Sequence, residues 1–324
     1  MCTAISWTSG NHYFGRNLDL DHSYNEAVTI TPRNYLLKFR NGHVLEKHFA
    51  MIGIATVIGD YPLYYDATNE YGLSMAGLNF PGNAYYPQPI SNVINISPFE
   101  FIPWILAQCK TVNEARSQIA NIQLSGIPFS DDLPLTPLHW MISDRENSVV
   151  IESVEEGLRI YDNPAKVLTN NPPFPYHMHN LCNYMQLSPD APINRFQDIP
   201  ELTPYSLGMG GIGLPGDLSS ASRFIRSAFT RTNATKYDES RKAVCQFFHI
   251  LGSVSQTEGC VSTPAGLEKT IYSSCCNTDM GIYYYTTYFG NQITAVTMTD
   301  ENKNAECLTC YPLRSQNTIL YENK

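Results

Sequence analysis

Two strand-like runs at the start of the chain constrain the fold most. Residues 3–7 and 12–17 are rich in strand formers, and Thr8-Ser9-Gly10-Asn11 between them is turn chemistry. A hairpin centred near Gly10 pairs positions whose numbers sum to 19 or 20. Residue 17 or 18 therefore lies opposite Cys2, and Arg16 and Asp19 flank it from the partner strand. Side chains alternate faces along a strand, so Arg16 and Asp19 belong on opposite faces unless a strand end or bulge intervenes near Leu18. Both beside Cys2 predicts such a bend.

Cys2 directly follows Met1, and its small side chain permits removal of that methionine, which is expected here. One residue then carries a thiol and a free α-amine. Their ordinary pKa values, about 8.5 and about 8, are close enough for the amine to take the thiol's proton without a histidine. That is the N-terminal form of nucleophilic catalysis. A guanidinium at Arg16 would lower the thiol pKa. A carboxylate at Asp19 would hold the ammonium by a charge-assisted hydrogen bond. Position alone separates neither Cys2 from an incidental terminal cysteine nor Arg16 and Asp19 from an ordinary ion pair at a sheet edge.

The remaining pattern is antiparallel. Strands are expected at 27–31, 35–39, 49–58, 63–66 and 73–78. Two capping-box helices come next, from Ser97 to about Gln108 with a kink at Pro103, and from Thr111 to about Ile122. Strands resume at 138–143, 148–154, 158–161 and 166–169. Helices are expected at 175–187, 220–232 and 239–251, then strands at 269–274, 281–288 and 292–299. The order of strands, helices, strands, helices, strands gives an α+β class.

Asn79 and Asn170 each end an apolar run and begin a turn. Strand-end amides are well placed as fixed donors for an oxyanion, although asparagine before a turn is also plain turn chemistry. Arg223 sits early in a helical run, where a solvated arginine would be unremarked. None of the eight histidines has metal-ligand spacing. His139 and His249 lie in apolar runs, and no histidine is expected to be required for chemistry. Loops at 22–26, 58–65, 80–86 and 127–137 are aromatic and apolar and are expected to wall a pocket.

The opening Met1-Cys2-Thr3-Ala4, followed by YFGRNLD from Tyr13 to Asp19, resembles the choloylglycine hydrolase family of bile salt hydrolases and penicillin V acylases. So do YYDATNEYGLSMAGLNFPG from Tyr64, LTNNPPF from Leu168, GMGGIGLPGDLSSASRFIR from Gly208 and TIYSSCC from Thr270. The resemblance implies a four-layer αββα sandwich of two antiparallel sheets, the N-terminal nucleophile hydrolase fold, with the cysteine at the end of a central strand. It implies amide hydrolysis of glycine- or taurine-conjugated bile acids through a thioester on Cys2, with penicillin V as the alternative substrate. It places Asn79 and Asn170 at the oxyanion and Arg223 in the polar network around Cys2. Asparagine at position 79 is similar to the bile salt hydrolase branch. Leu207 stands where relatives carry arginine, which leaves the choice between conjugates open. No cofactor or metal is implied; a homotetramer is. A non-catalytic bile-acid-binding or thiol-redox protein is the reading from another class.

With 324 residues, 43% hydrophobic, and no linker or repeat, one domain over 1–324 is expected. A net charge of −9 argues against nucleic acid and requires a locally positive site for an anionic substrate. No signal peptide or membrane span is seen, so a cytoplasmic address with reduced cysteines is expected. Cys307-Leu308-Thr309-Cys310 is a single pair without partners at metal-ligand spacing.

Overall fold

The computed structural model describes residues 1–196, 198–199, 202–317 and 319–323. It opens with the hairpin of β1 (Cys2–Ser9) and β2 (Asn11–Leu20). Cys2 pairs with Leu18 and Ser9 with Asn11, without a register shift between them. Gly10 turns the chain at φ +66°, and a Cβ there would lie 3.3 Å from the Asp238 backbone. Glycine meets both the conformational and the steric demand.

A meander comes after the hairpin: β3 (Ala27–Thr31), β4 (Met51–Ile58), β5 (Tyr61–Asn69) and β6 (Ser74–Asn79). Helices α1 (Phe101–Leu106) and α2 (Val112–Ile119) come next. Then come β7 (Leu138–Ser143), β8 (Ser148–Val154), β9 (Gly157–Asp162) and the short β10 (Val167–Leu168). Helices α3 (Phe174–Asn180), α4 (Ser220–Asn233) and α5 (Ser240–Gly252) lead to β11 (Gly266–Asn277), β12 (Ile282–Thr287), β13 (Gly290–Thr297) and β14 (Thr309–Pro312).

The first sheet runs β10-β1-β2-β11-β12-β13, with Val261–Thr263 also pairing β11, seven strands in all. The second has eight, in the order β9-β8-β7-β6-β5-β4-β3-β14. Pairing within both is antiparallel. One buried cluster joins the facing sheets, through Cys2, Ala4 and Phe14 with Ile54, Leu78 and Met141, and continues to Phe224, Phe247 and Ile250 of α4 and α5. A second packs Phe101, Trp104, Val112 and Ile119 of α1 and α2 on Met51, Met75 and Ile151. The layers are therefore helix, sheet, sheet, helix, each sheet burying both faces.

Some expected elements shift. The run 35–39 shrinks to Leu37–Lys38, which pairs Val44–Leu45 off the main sheets. The helix expected from Ser97 begins as a 3-10 turn at Pro98–Glu100 and becomes α1 at Phe101. Pro103 thus lies in the first α-turn, where no intrahelical N–H bond is lost. The helix at 175–187 ends at Asn180, and a 3-10 turn, Leu181–Tyr184, succeeds it. Edge strand β14 was not anticipated; its Cys310, Tyr311 and Pro312 are exposed, so it lacks the alternation that marks a half-buried strand.

Candidate active site

Cys2 is buried at the end of β1, on the wall of a cavity of about 580 Å³ between the sheets. Arg16, Leu18 and Leu20 line it from β2, and Gly77 and Asn79 from β6. Tyr24, Ile58, Leu63, Tyr65, Phe129 and residues 132–137 supply the outer walls, from three of the four expected segments, although Ile58, Leu63 and Tyr65 stand on strands β4 and β5 rather than in a loop. Segment 80–86 does not line it. Phe80 instead turns into the core and stacks on His139 at 4.3 Å. Phe99 and Ile102, from the start of the α1 region, take that part of the wall. A slightly larger recess of about 620 Å³, between residues 21–27 and 312–315, does not reach Cys2.

Arg16 and Asp19 do lie on opposite faces of β2. The expected bend in β2 is absent. Instead the neighbour β11 slips register between Thr270 and Tyr272, opposite Asp19 and Leu18. That bulge sends Thr270 to Asp19 on the helix side, while Tyr272 and Ser274 reach between the sheets. Fully buried Arg16 donates from Nη1 to the carbonyls of Tyr65 at 2.9 Å and Gly77 at 2.6 Å. Its Nη2 has no partner among the described residues. Burial opposes the guanidinium charge, but Cys2, Tyr272, Asp66 and Asp19 around it outweigh that, and its pKa is raised.

On the other face, Asp19 accepts from Thr270 Oγ1 at 2.7 Å through Oδ1, while buried Oδ2 has no partner among the described residues. Burial pushes this carboxyl up, against the pull of Arg223 and the terminal ammonium. The Met1 ammonium donates to the Asp19 carbonyl at 2.7 Å and to Glu268 Oε2 at 2.9 Å. The Cys2 amide donates to Asn170 Oδ1 at 2.8 Å. Asn170 also receives Arg223 Nη2 at 2.7 Å, and its Nδ2 donates to the Asn79 carbonyl at 2.7 Å. Fully buried Arg223, from α4, bonds the Cys2 carbonyl, Thr3 Oγ1 and the Leu218 carbonyl as well. Desolvation lowers its pKa. The Asn79 side-chain amide makes no hydrogen bond among the described residues. All six residues singled out in the sequence therefore meet around the end of β1.

A family model described as "Linear amide C-N hydrolases, choloylglycine hydrolase family" matches residues 2–311. The chain belongs to the choloylglycine hydrolase family. It is 54% identical to a bile salt hydrolase/transferase of Lactiplantibacillus plantarum over 98% of both chains. It is 39% identical to a bile salt hydrolase/transferase of Clostridium perfringens over 100% of both. Its fold superposes on a mutant conjugated bile acid hydrolase from Clostridium perfringens with a TM-score of 0.92 and 37% identity, each chain covered completely. A penicillin V acylase from Agrobacterium tumefaciens, with a TM-score of 0.77 and 17% identity over 99% of this chain and 94% of that one, shares the fold.

In this member of the family Asp66 also stands at the site, a residue that no motif or spacing in the sequence singled out. It sits in β5 and accepts from Tyr272 at 2.7 Å, from Ser274 at 3.3 Å and from Tyr283. Burial raises its pKa against the nearby Arg16. A lone carboxylate inside the apolar run 63–68 was the available signal, because a buried charge needs partners. Glu268, the ion-pair partner of the Met1 ammonium, lies in a polar strand start that carries no such signal.

Proposed function

We propose that this family member hydrolyses the amide bond of glycine- or taurine-conjugated bile acids, with Cys2 as nucleophile once Met1 is removed. The observation that carries the reading is a thiol on the wall of an apolar cavity, beside a buried guanidinium N–H that has no partner among the described residues. A flat apolar acyl group suits those walls, and Arg16 supplies the local positive charge that an anionic conjugate needs against a net charge of −9.

The Cys2 thiol gives its proton to the α-amine of the same residue, and sulfur attacks the amide carbonyl. The Asn79 amide and the second N–H of Asn170 hold the oxyanion. Collapse breaks the C–N bond, and the ammonium protonates the departing amino acid. Water, deprotonated by the amine, then cleaves the thioester and releases the bile acid carboxylate. Asn170 Oδ1, already bonded to the Cys2 nitrogen, and the unpartnered Asp19 Oδ2 orient the freed amine. Arg223 ties Cys2, Thr3 and Asn170 together. An amine attacking the same thioester gives acyl transfer, the second activity in the names of both curated relatives.

The chain works as one domain and assembles as a homotetramer in this reading. Between α3 and α4 it presents Met185, Ile193, Phe196, Tyr205 and Leu207, all exposed, as surface for self-association. A cytoplasmic address belongs to the same reading and fits nine free cysteines. Among the described residues, no helix is long and apolar enough to cross a membrane.

The test is release of glycine and taurine from glycocholate and taurocholate, using protein whose terminus mass spectrometry assigns to Cys2. Cys2→Ala should abolish release, and retained Met1 should do the same. Undiminished release by Cys2→Ala would overturn the mechanism, and a higher kcat/KM for penicillin V would overturn the substrate.

A further inference from the structure

Asn170 lies outside the sheets. β10 ends at Leu168, so the sheet ladder does not fix the backbone that carries this side chain. Two buried histidines hold it instead. His139 Nε2 lies 2.9 Å from the Thr169 carbonyl, and His177 Nε2 lies 2.9 Å from the carbonyl of Asn170 itself. The Asn170 N–H is bound as well, to Ser220 Oγ at 2.8 Å. We propose that His139, paired with Glu152, and His177 are positioning residues that clamp consecutive carbonyls and thereby aim the Asn170 side chain at the Cys2 nitrogen.

Proton count supports the first anchor. His139 Nδ1 lies 3.1 Å from Glu152 Oε1, which also accepts the Phe174 N–H at 2.9 Å. The ring thus faces a carboxyl on one side and a carbonyl, which can only accept, on the other. An imidazolium against a carboxylate satisfies this, and so does a neutral ring against a protonated acid. In both, the pair is neutral overall and Nε2 keeps its proton for Thr169. The pair is wholly buried, so that neutrality matters.

The second anchor is simpler. His177 Nδ1 has no partner among the described residues, and burial pushes the ring down to about 4, so the neutral tautomer with its proton on Nε2 serves Asn170. Aromatic stacking fixes both rings. His139 lies on Phe80 at 4.3 Å and 5° between planes, and His177 on Phe224 at 4.8 Å and 19°. Phe80 directly follows Asn79, and Phe224 directly follows Arg223. Each clamp is therefore registered to another residue at the site. Neither histidine touches a reacting atom.

The clamp rests on Asn170 acting at Cys2 in the proposed hydrolysis. His177→Phe keeps the ring and its stack but removes the donor. Its kcat for conjugate hydrolysis should fall between about 10- and 100-fold, as expected for small misplacement of a catalytic group, with KM unchanged within about twofold. His177→Gln, which keeps an N–H, should recover most of the loss. The His139→Phe, Glu152→Gln double variant, which removes the other anchor without stranding a charge, should repeat the pattern. In an Asn170→Ala background both losses should vanish, because the clamp acts only through that side chain. If Asn170→Ala is slow but His177→Phe runs at full rate, or is equally slowed with and without Asn170, the clamp is overturned alone. A fully active Asn170→Ala would overturn the site reading and the clamp with it.

Discussion

An unmet donor, Arg16 Nη2, and an unmet acceptor, Asp19 Oδ2, stand on opposite faces of one strand beside one cysteine. Buried polar atoms without partners are costly, and the proposed mechanism gives both of these a partner, the substrate for one and the freed amine for the other. The residue types were legible in the sequence; their unmet valences were not, because those depend on what other strands bring. His12 shows the same limit. Its ring joins Ser6 and Thr278, each at 2.9 Å, and Ser143 from the facing sheet donates to Ser6 at 2.8 Å. Burial, with help from Lys166, pushes His12 down to about 4. The unfolded chain binds this proton near pH 6.5 and the folded chain only near 4, so the fold loses stability as pH drops through that interval. The loss is on the order of 3 kcal/mol. His177, also held down to about 4, adds a loss of its own over the same interval, so urea unfolding should show a shallower but not flat loss for His12→Gln than for the parent; an equal slope would show that His12 contributes nothing.

At the scale of elements, the N-terminus of α4 carries most weight, because it delivers Arg223. Ser219 Oγ accepts from the Ser222 amide at 3.4 Å, and Asp217 accepts the Ser219 amide at 2.9 Å and the Ser222 hydroxyl at 2.5 Å. Hydrogen bonds from Ser219 and then Ser222 hold the Asp217 carboxyl down to about 2. Ser219→Ala should lower stability by about 1 kcal/mol, as loss of an N-cap does, with a matching shift in the urea midpoint. An unchanged midpoint would mean that Asp217 alone holds the turn. The helix was readable in the sequence as 220–232, within a residue of its observed ends. The bulges were not. One lies in β11, and another between β4 and β5 leaves Tyr65 unpaired, so that its carbonyl meets Arg16. A bulge is a property of two strands in register, which no single run of residues records.

For the whole molecule, the exposed apolar segment between α3 and α4 predicts association. Tyr205→Glu with Leu207→Glu should shift the mass measured by light scattering towards the monomer, because charge is disfavoured in the core of an interface. An unchanged mass would place the contacts elsewhere. By itself the sequence determined the N-terminal hairpin and narrowed the position opposite Cys2 to 17 or 18, since period-two alternation and a glycine turn are local; the register then chose Leu18. It also marked Cys2, Arg16, Asp19, Asn79, Asn170 and Arg223 as candidates. Only the tertiary structure decided that the register slip lies in β11 rather than in β2, which leaves Arg16 and Asp19 on opposite faces, that Phe80 leaves the pocket for His139, and that Asp66 stands behind Arg16. Those outcomes depend on which strands become neighbours and where their register slips, and they are settled by packing between segments up to hundreds of residues apart, such as Tyr283 on Asp66.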